Sequence, residues 1–271
     1  MIFGDSYGGA GWPIKPMLNM MRRLFAKGPA MAEPLALQRW AQQHGHDWRR
    51  VRDAEGCVIE GKQDQQAWRI EWGASQRNYV DGLELRLIAE LDLPNDLMVM
   101  VLNRSLMAAM EKAVYEQYVD DVQTRIDTDT PPEMRWLVMH AKLPSADLGP
   151  LRERYGAVSS LPSWLSQWLQ SPLGEALAAT LAVIRSDQPV ALTVGRGRLT
   201  LRTELQTPDA DKLALWFVVF EQAMKSARTL VVERRPSGSR SKPADAVPAS
   251  EDGPPSDLTE PPEPSEPAPM R

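Results

Sequence analysis

A short pattern occurs twice in this chain, and it constrains the fold more than any other feature. The first copy is Leu85-x-Leu87-x-x-Glu90-Leu91-x-x-Pro94, and the second is Leu199-x-Leu201-x-x-Glu204-Leu205-x-x-Pro208. Alternating leucines predict a strand with one buried side, and each copy runs into an apolar pattern with helical spacing. The repetition therefore predicts one strand-to-helix unit that is used twice.

We expect an α+β fold of small antiparallel sheets, each followed by a long amphipathic helix, in two related halves with a disordered C-terminal tail. A chain of 271 residues with 43% apolar composition can bury a sizeable core. The sequence leaves open whether the halves share one core. The expected divisions are a flexible segment over residues 1–30, a first half over 31–145, a second half over 146–235 and the tail over 236–271.

In the first half, apolar residues at helical spacing before Gly45 predict a helix from Pro34 to His44. Pro94 is expected to open a second helix that reaches Tyr118 or Val119. The run from Met134 to Leu143 favours a strand. Further strands are predicted over 47–52, 57–61, 67–73 and 83–91. The most regular alternation is in Trp68-Arg69-Ile70-Glu71-Trp72.

The second half combines interrupted helices with a hairpin. Prolines break residues 146–186 into several helical pieces. Residues 190–194 and 198–205 alternate on either side of Gly195-Arg196-Gly197, which predicts a β-hairpin. The segment Thr207-Pro208-Asp209 suits the start of the last helix, because threonine can cap it and proline fits its first turn.

Charge is concentrated near the C-terminus. Residues 236–271 contain seven acids and three bases, so they carry −4 of the formal net charge of −5 and leave −1 for residues 1–235. A nearly neutral body lacks the positive field that nucleic-acid binding needs, and we expect no nucleic-acid partner. The acidic, proline-rich tail is predicted to be disordered.

No motif assembles a catalytic, metal or cofactor site, and we predict no residue for these roles. Three histidines are few for catalysis, and one cysteine excludes a multi-cysteine zinc site. His44-Gly45-His46-Asp47 could supply metal ligands, but no i,i+4 histidine pair or second cluster accompanies it. Gly195-Arg196-Gly197 lacks the spacing of a phosphate-binding loop. Cys57 is expected to be a small buried hydrophobic residue. A single cysteine and the absence of a long apolar run favour the cytoplasm.

The densest polar segment lies between two predicted strands, where loops often bind partners. Two tryptophans one turn apart, on a short predicted helix bounded by Pro162 and Pro172, could also dock a partner. Packing as a flap over the protein's own core is the favoured explanation of these two tryptophans. The predicted interaction patch comprises Arg69, Glu71, Ser75, Gln76, Arg77, Tyr79, Arg86, Trp164 and Trp168.

We therefore expect a non-enzymatic cytoplasmic interaction or adaptor protein with an unidentified protein partner, for which the tail is a flexible tether. One alternative is a peripheral membrane protein that uses the basic amphipathic residues 17–27 and the Trp164 helix. Another is an enzyme whose site assembles across sequence distance and leaves no motif. A deep pocket that gathers residues with shifted pKa values would favour the enzyme.

Overall fold

The computed structural model describes residues 34–52, 54–119 and 131–234. The segment 17–27 and the predicted disordered tail lie outside these ranges. The helices are α1 (Leu35–Gln43), α2 (Arg104–Val119), α3 (Pro132–Met139), α4 (Pro162–Leu169), α5 (Pro172–Thr180) and α6 (Ala210–Arg234), with a kinked 3₁₀ segment over Ser145–Glu153. In the described ranges, no helix combines the length and apolarity needed to cross a membrane.

The strands are β1 (Asp47–Arg50), β2 (Gly56–Gln63), β3 (Gln66–Ala74), β4 (Leu83–Glu90), β5 (Val99–Asn103), β6 (Ala141–Lys142), β7 (Tyr155–Ser159), β8 (Val190–Gly195) and β9 (Arg198–Glu204). Within the described residues they form one antiparallel sheet in the order β1-β2-β3-β4-β9-β8-β5-β7-β6. The expected small sheets in two halves are therefore wrong. Because β4 pairs with β9 and β5 pairs with β8, strands from both parts of the chain join in a single sheet.

Three segments differ from the structure predicted for them. Residues 155–159, expected within the helical pieces of the second half, form β7. The chain after Pro94 forms β5, and α2 begins only at Arg104. All five residues of β5 are buried, because both sides of this strand are covered, and such strands lose the polar alternation that identifies a half-buried strand. Residues 134–139, expected in a strand, belong to α3, whose first residue Pro132 suits a helix start.

The larger hydrophobic core lies on one side of the sheet, which we term the core side. Alternation along β3 directs Trp68, Ile70 and Trp72 to this side, and all three are buried. Helices α1, α4, α5 and α6 cover it. Their buried contributions include Leu37, Trp40, Leu165, Trp168, Leu173, Leu177, Trp216, Phe220 and Ala223.

A smaller core lies on the opposite side, which we term the outer side. Here α2 and α3 pack on β5, β7 and β8. Two glycines permit this close approach: a Cβ at Gly156 would lie 2.5 Å from the Met107 sulfur, and one at Gly195 would lie 2.5 Å from the Trp136 ring. The buried members of this core are Met100, Leu102, Leu106, Met107, Met110, Met134, Leu137, Val158 and Ala191.

Candidate functional site

Beyond α2 and α3, the outer side of the sheet changes from apolar to charged. Since neighbouring residues in a strand point to opposite sides, Arg69 and Glu71 face away from the tryptophans of β3. Residues of β1, β2, β4 and β9 extend this surface in register. We term it the charged face, and it comprises Arg49, Glu60, Arg69, Glu71, Glu84, Arg86 and Arg202.

Ion pairs connect neighbouring strands across the charged face. Arg49 Nη2 and Arg69 Nη1 lie 3.0 and 3.5 Å from the same oxygen, Glu60 Oε1. Arg69 Nε lies 2.5 Å from Glu71 Oε1, and the other oxygen of Glu71 accepts a hydrogen bond from Arg86. The contacts therefore run from β1 to β4 without interruption.

Glu84 is the most deeply placed member, with a side chain only 1% exposed. Its Oε1 accepts a hydrogen bond from Arg202 Nη1 at 2.6 Å. Its Oε2 accepts from the Gln76 amide at 3.0 Å and from Ser75 Oγ at 3.4 Å, with Arg86 Nη1 at 3.5 Å. A buried carboxylate needs such a set of donors to offset its lost hydration. Glu84 thus ties the loop after β3 to β9.

The same loop is attached to α3 through Glu133. Arg77 Nε and the Tyr79 hydroxyl donate to Glu133 Oε1 at 3.2 and 3.3 Å. Glu133 is 4% exposed, and among the described residues its Oε2 is buried without a hydrogen-bond partner. Burial, and then the charge of Glu133, raise the pKa of Tyr79, so its hydroxyl remains a donor at neutral pH.

The charge states of Glu71 and Arg77 follow from their surroundings. Burial acts to raise the pKa of Glu71, but the hydrogen bond and charge of Arg86, followed by those of Arg69, outweigh burial and lower it. For Arg77, burial acts to lower the pKa, and the neighbouring Glu133 outweighs it and raises the pKa. These groups are therefore charged at neutral pH, and the surface is held together by ion pairs.

Most guanidinium groups here lie nearer to solvent than the carboxylates that bind them, and Arg86, which is 9% exposed against 19% for Glu71, is an exception. Arg49 is 58% exposed against 40% for Glu60, and Arg77 is 25% exposed against 5% for Glu133. Arg202 and Glu84 show the same order. Water, or a partner, therefore meets hydrogen-bond donors first on this surface.

The predicted interaction patch divides between the two sides of the sheet. Arg69, Glu71, Arg86 and the loop residues Ser75, Gln76, Arg77 and Tyr79 lie together on the charged face and in its adjoining loop. Trp164 and Trp168 lie on the core side and are buried, and Trp168 Nε1 donates to the Ala223 carbonyl at 3.1 Å. These two tryptophans therefore do not belong to the same surface.

The predicted interaction patch did not include Glu84, Arg202 or Glu133. The alternation of β4 places Glu84 on the same side as Arg86, so this residue carried a local signal. Arg202 joins the site only because β9 pairs with β4, directly opposite Arg86. Glu133 directly precedes a segment that was expected to be a strand.

Other groups offer little reaction chemistry in the described residues. Burial raises the pKa of the Cys57 thiol to about 11, which keeps it protonated at neutral pH. No group of three or more His, Cys, Asp or Glu side chains is placed to hold a metal in these ranges. A cleft of about 190 Å³ beside α2 is lined by residues that include Met107, Glu111 and Lys142, and Lys142 Nζ lies 2.9 Å from Glu111 Oε1.

No protein-family model matches the chain, and no curated protein matches it. Among solved structures, the chain is similar to the crystal structure of the mycobacterial trehalose monomycolate transport factor A, TtfA. The match has a TM-score of 0.41 and 8% sequence identity, and it covers 72% of this chain and 94% of that chain. A likeness this distant supports no inference about function.

Proposed function

We propose that this chain is a cytoplasmic, non-enzymatic interaction or adaptor protein, and that the charged face binds a segment of a protein partner. The observation that supports the proposal is the outward position of the Arg49 and Arg69 guanidinium groups relative to the carboxylates of Glu60 and Glu71. Arginine is enriched at protein interfaces, where its planar fork binds carboxylates and carbonyls. The single buried cysteine fits a reducing compartment.

Arg49 and Arg69 are the groups best placed to contact a partner. Both are around half exposed, and both share the one carboxylate of Glu60. Among the described residues, Arg49 contacts Glu60 through Nη2 alone, and a guanidinium has five N–H donors. Donors therefore remain available for a second carboxylate, so the favoured partner segment is acidic.

The contacts below these arginines prepare the surface for binding. Arg69 is held between Glu60 and Glu71, and Glu71 is held by Arg86. Side chains that are already fixed lose less conformational entropy when a partner arrives. Existing ion pairs would also strengthen when the partner excludes water from them. A sheet side that only faces solvent is also polar. The experiment must therefore distinguish a surface that binds a partner from one that is only exposed to water.

Site-specific photo-crosslinking in the source organism provides that test. A photoreactive residue replaces exposed Lys62, which lies two residues from Glu60 on β2, or exposed Lys225 on α6. We expect one protein to crosslink through position 62 and not through position 225. The crosslinked peptide should be acidic.

Charge-reversed variants test the residues that carry the proposal. Arg49→Glu with Arg69→Glu should abolish crosslinking at position 62. The matched control, Arg39→Glu with Lys225→Glu, changes exposed residues on α1 and α6 and should leave it intact. Circular dichroism checks that each variant is folded. Crosslinking that is absent at position 62, or unaffected by the first pair of substitutions, would overturn the proposal.

A further inference from the structure

Among the described residues, strand β1 is an edge of the sheet, since it pairs with β2 on one side only. The Val51 amide donates to the Gly56 carbonyl at 3.1 Å. Because residues in an antiparallel pair alternate between bonded and non-bonded positions, Arg49 and Asp47 also direct their backbone groups to β2. The N–H and C=O groups of Trp48 and Arg50 therefore point outward. Within the described ranges, no backbone hydrogen bond engages these outward groups.

The sequence of β1 is complementary to itself. Asp47 and Arg49 lie two residues apart, so both side chains are on the outer side of the sheet, and both are exposed. When two copies of β1 align antiparallel with Trp48 opposite Trp48, Asp47 of each copy faces Arg49 of the other. Charged side chains at an edge commonly resist pairing, but in this alignment opposite charges face each other and favour it.

The backbone hydrogen-bonding pattern of β1 agrees with this alignment of the two copies. The outward groups of Trp48 make the central pair a hydrogen-bonded one. The flanking Asp47–Arg49 pairs are then non-hydrogen-bonded pairs, in which the Cα atoms approach to about 4.5 Å and side chains are closest. The backbone and the charges thus select the same alignment. Arg49 can keep its bond to Glu60, because other N–H groups of the guanidinium remain free for the second copy.

We propose that a second copy of this chain binds to β1, antiparallel about Trp48, so that the two sheets join edge to edge. A four-residue edge is small compared with the interfaces of stable dimers. The association is therefore weak and depends on protein concentration. Both proposals use Arg49, but self-association is measured on the purified chain alone, so its test does not depend on the proposed protein partner.

Sedimentation equilibrium of the full chain across a wide range of concentration tests the inference. Asp47→Arg places like charges opposite each other at both flanking pairs, and so does Arg49→Asp. Each should weaken self-association by about tenfold or more. The matched controls Asp211→Arg and Arg135→Asp change exposed residues of α6 and α3 and should leave it unchanged.

Two further samples distinguish this register from any other. The double variant Asp47→Arg, Arg49→Asp exchanges the charges and should restore self-association. An equimolar mixture of the two single variants should form mixed dimers, since each supplies the charges that the other lacks. Hydrogen exchange should show the Trp48 amide protected only where dimers form. A chain that stays monomeric throughout, or a dimer that ignores these substitutions, would refute the inference.

Discussion

Leu87 of β4 lies directly opposite Leu201 of β9, and both side chains are fully buried. The two leucines hold equivalent positions in the two copies of the sequence pattern. On either side of them, Leu85 faces Thr203 and Ala89 faces Leu199. The two copies therefore form neighbouring strands in the middle of the sheet.

Replacing either central leucine should be costly. We expect Leu87→Ala and Leu201→Ala each to lower the free energy of unfolding by about 2–5 kcal/mol, because each leaves a cavity in the core. Their effects should be non-additive by roughly 0.5 kcal/mol or more, since the residues are cross-strand neighbours. Leu35→Ala removes a side chain that is 47% exposed, and it should change the free energy of unfolding by less than about 0.5 kcal/mol. Urea unfolding of the wild type, the three single variants and the Leu87→Ala, Leu201→Ala double variant measures these effects. Equal effects at Leu87 and Leu35 would contradict the packing described above.

The Arg77–Glu133 pair should respond asymmetrically to substitution. Arg77→Ala leaves a buried carboxylate without its cation and should cost about 2–4 kcal/mol. Glu133→Gln keeps an acceptor for Tyr79 and leaves a partly exposed guanidinium, so it should cost only about 1 kcal/mol.

The double variant Arg77→Ala, Glu133→Gln should therefore be more stable than Arg77→Ala alone. Arg135→Ala, at an exposed position of α3, is the control. Thermal or urea unfolding measures which of these variants is the more stable. If the double variant is no more stable than Arg77→Ala alone, the unpaired Glu133 carboxylate is not the cause of the lost stability.

Two hairpin turns should respond in opposite directions to glycine. In the β2–β3 turn, Gln65 has a φ of +67°, a left-handed conformation that is unfavourable for a residue with a Cβ. Gln65→Gly should raise the unfolding free energy by roughly 0.5–1 kcal/mol. In the β8–β9 turn, Gly197 has a φ of +74° and a Cβ there would lie 3.0 Å from the Leu91 carbonyl oxygen. Gly197→Ala should lower the unfolding free energy by about 1–2 kcal/mol. Urea unfolding at one pH tests both, and effects of the same sign would be inconsistent with these turns.

Acid should weaken the charged face through Glu71. The folded-state pKa of Glu71 lies below its ordinary value of 4.5. At pH values near and below 4.5, the folded protein therefore binds fewer protons than the unfolded chain. The stability from Glu71 is fully present above that value and is lost as pH falls through the lowered pKa. The difference in unfolding free energy between the wild type and Glu71→Gln should therefore shrink at acidic pH.

Urea unfolding at a series of pH values measures this difference. Glu116→Gln, in which the replaced side chain is 61% exposed, controls for the loss of a surface carboxylate. A Glu71→Gln difference that stays constant from neutral to acidic pH would contradict the role given to Arg86.

Local patterns predict those strands that have one buried and one polar side. Trp68-Arg69-Ile70-Glu71-Trp72 and the alternation around Leu85 and Leu87 correspond to β3 and β4, and the turn at Gly197 lies in the expected hairpin. Strands β5 and β7 were missed because both of their sides are buried. Their residues do not alternate in polarity, and an apolar run fits a helix equally well.

The charged face was predictable only where its residues are close in sequence. Arg69, Glu71 and Arg86 follow from the alternation of two consecutive strands. Arg202 joins the face through a strand pairing that spans more than a hundred residues of sequence. Glu133 contacts the adjoining loop from a helix that the sequence did not indicate. No local period encodes either contact.

The position of β9 beside β4 has a consequence for synthesis on the ribosome. Strands β4 and β5 leave the ribosome long before the β8–β9 hairpin that separates them in the sheet. Until the hairpin is translated, each of these two strands has an edge that lacks its final neighbour. A message truncated before residue 190 would release a chain with two such edges, and we expect that product to aggregate or be degraded.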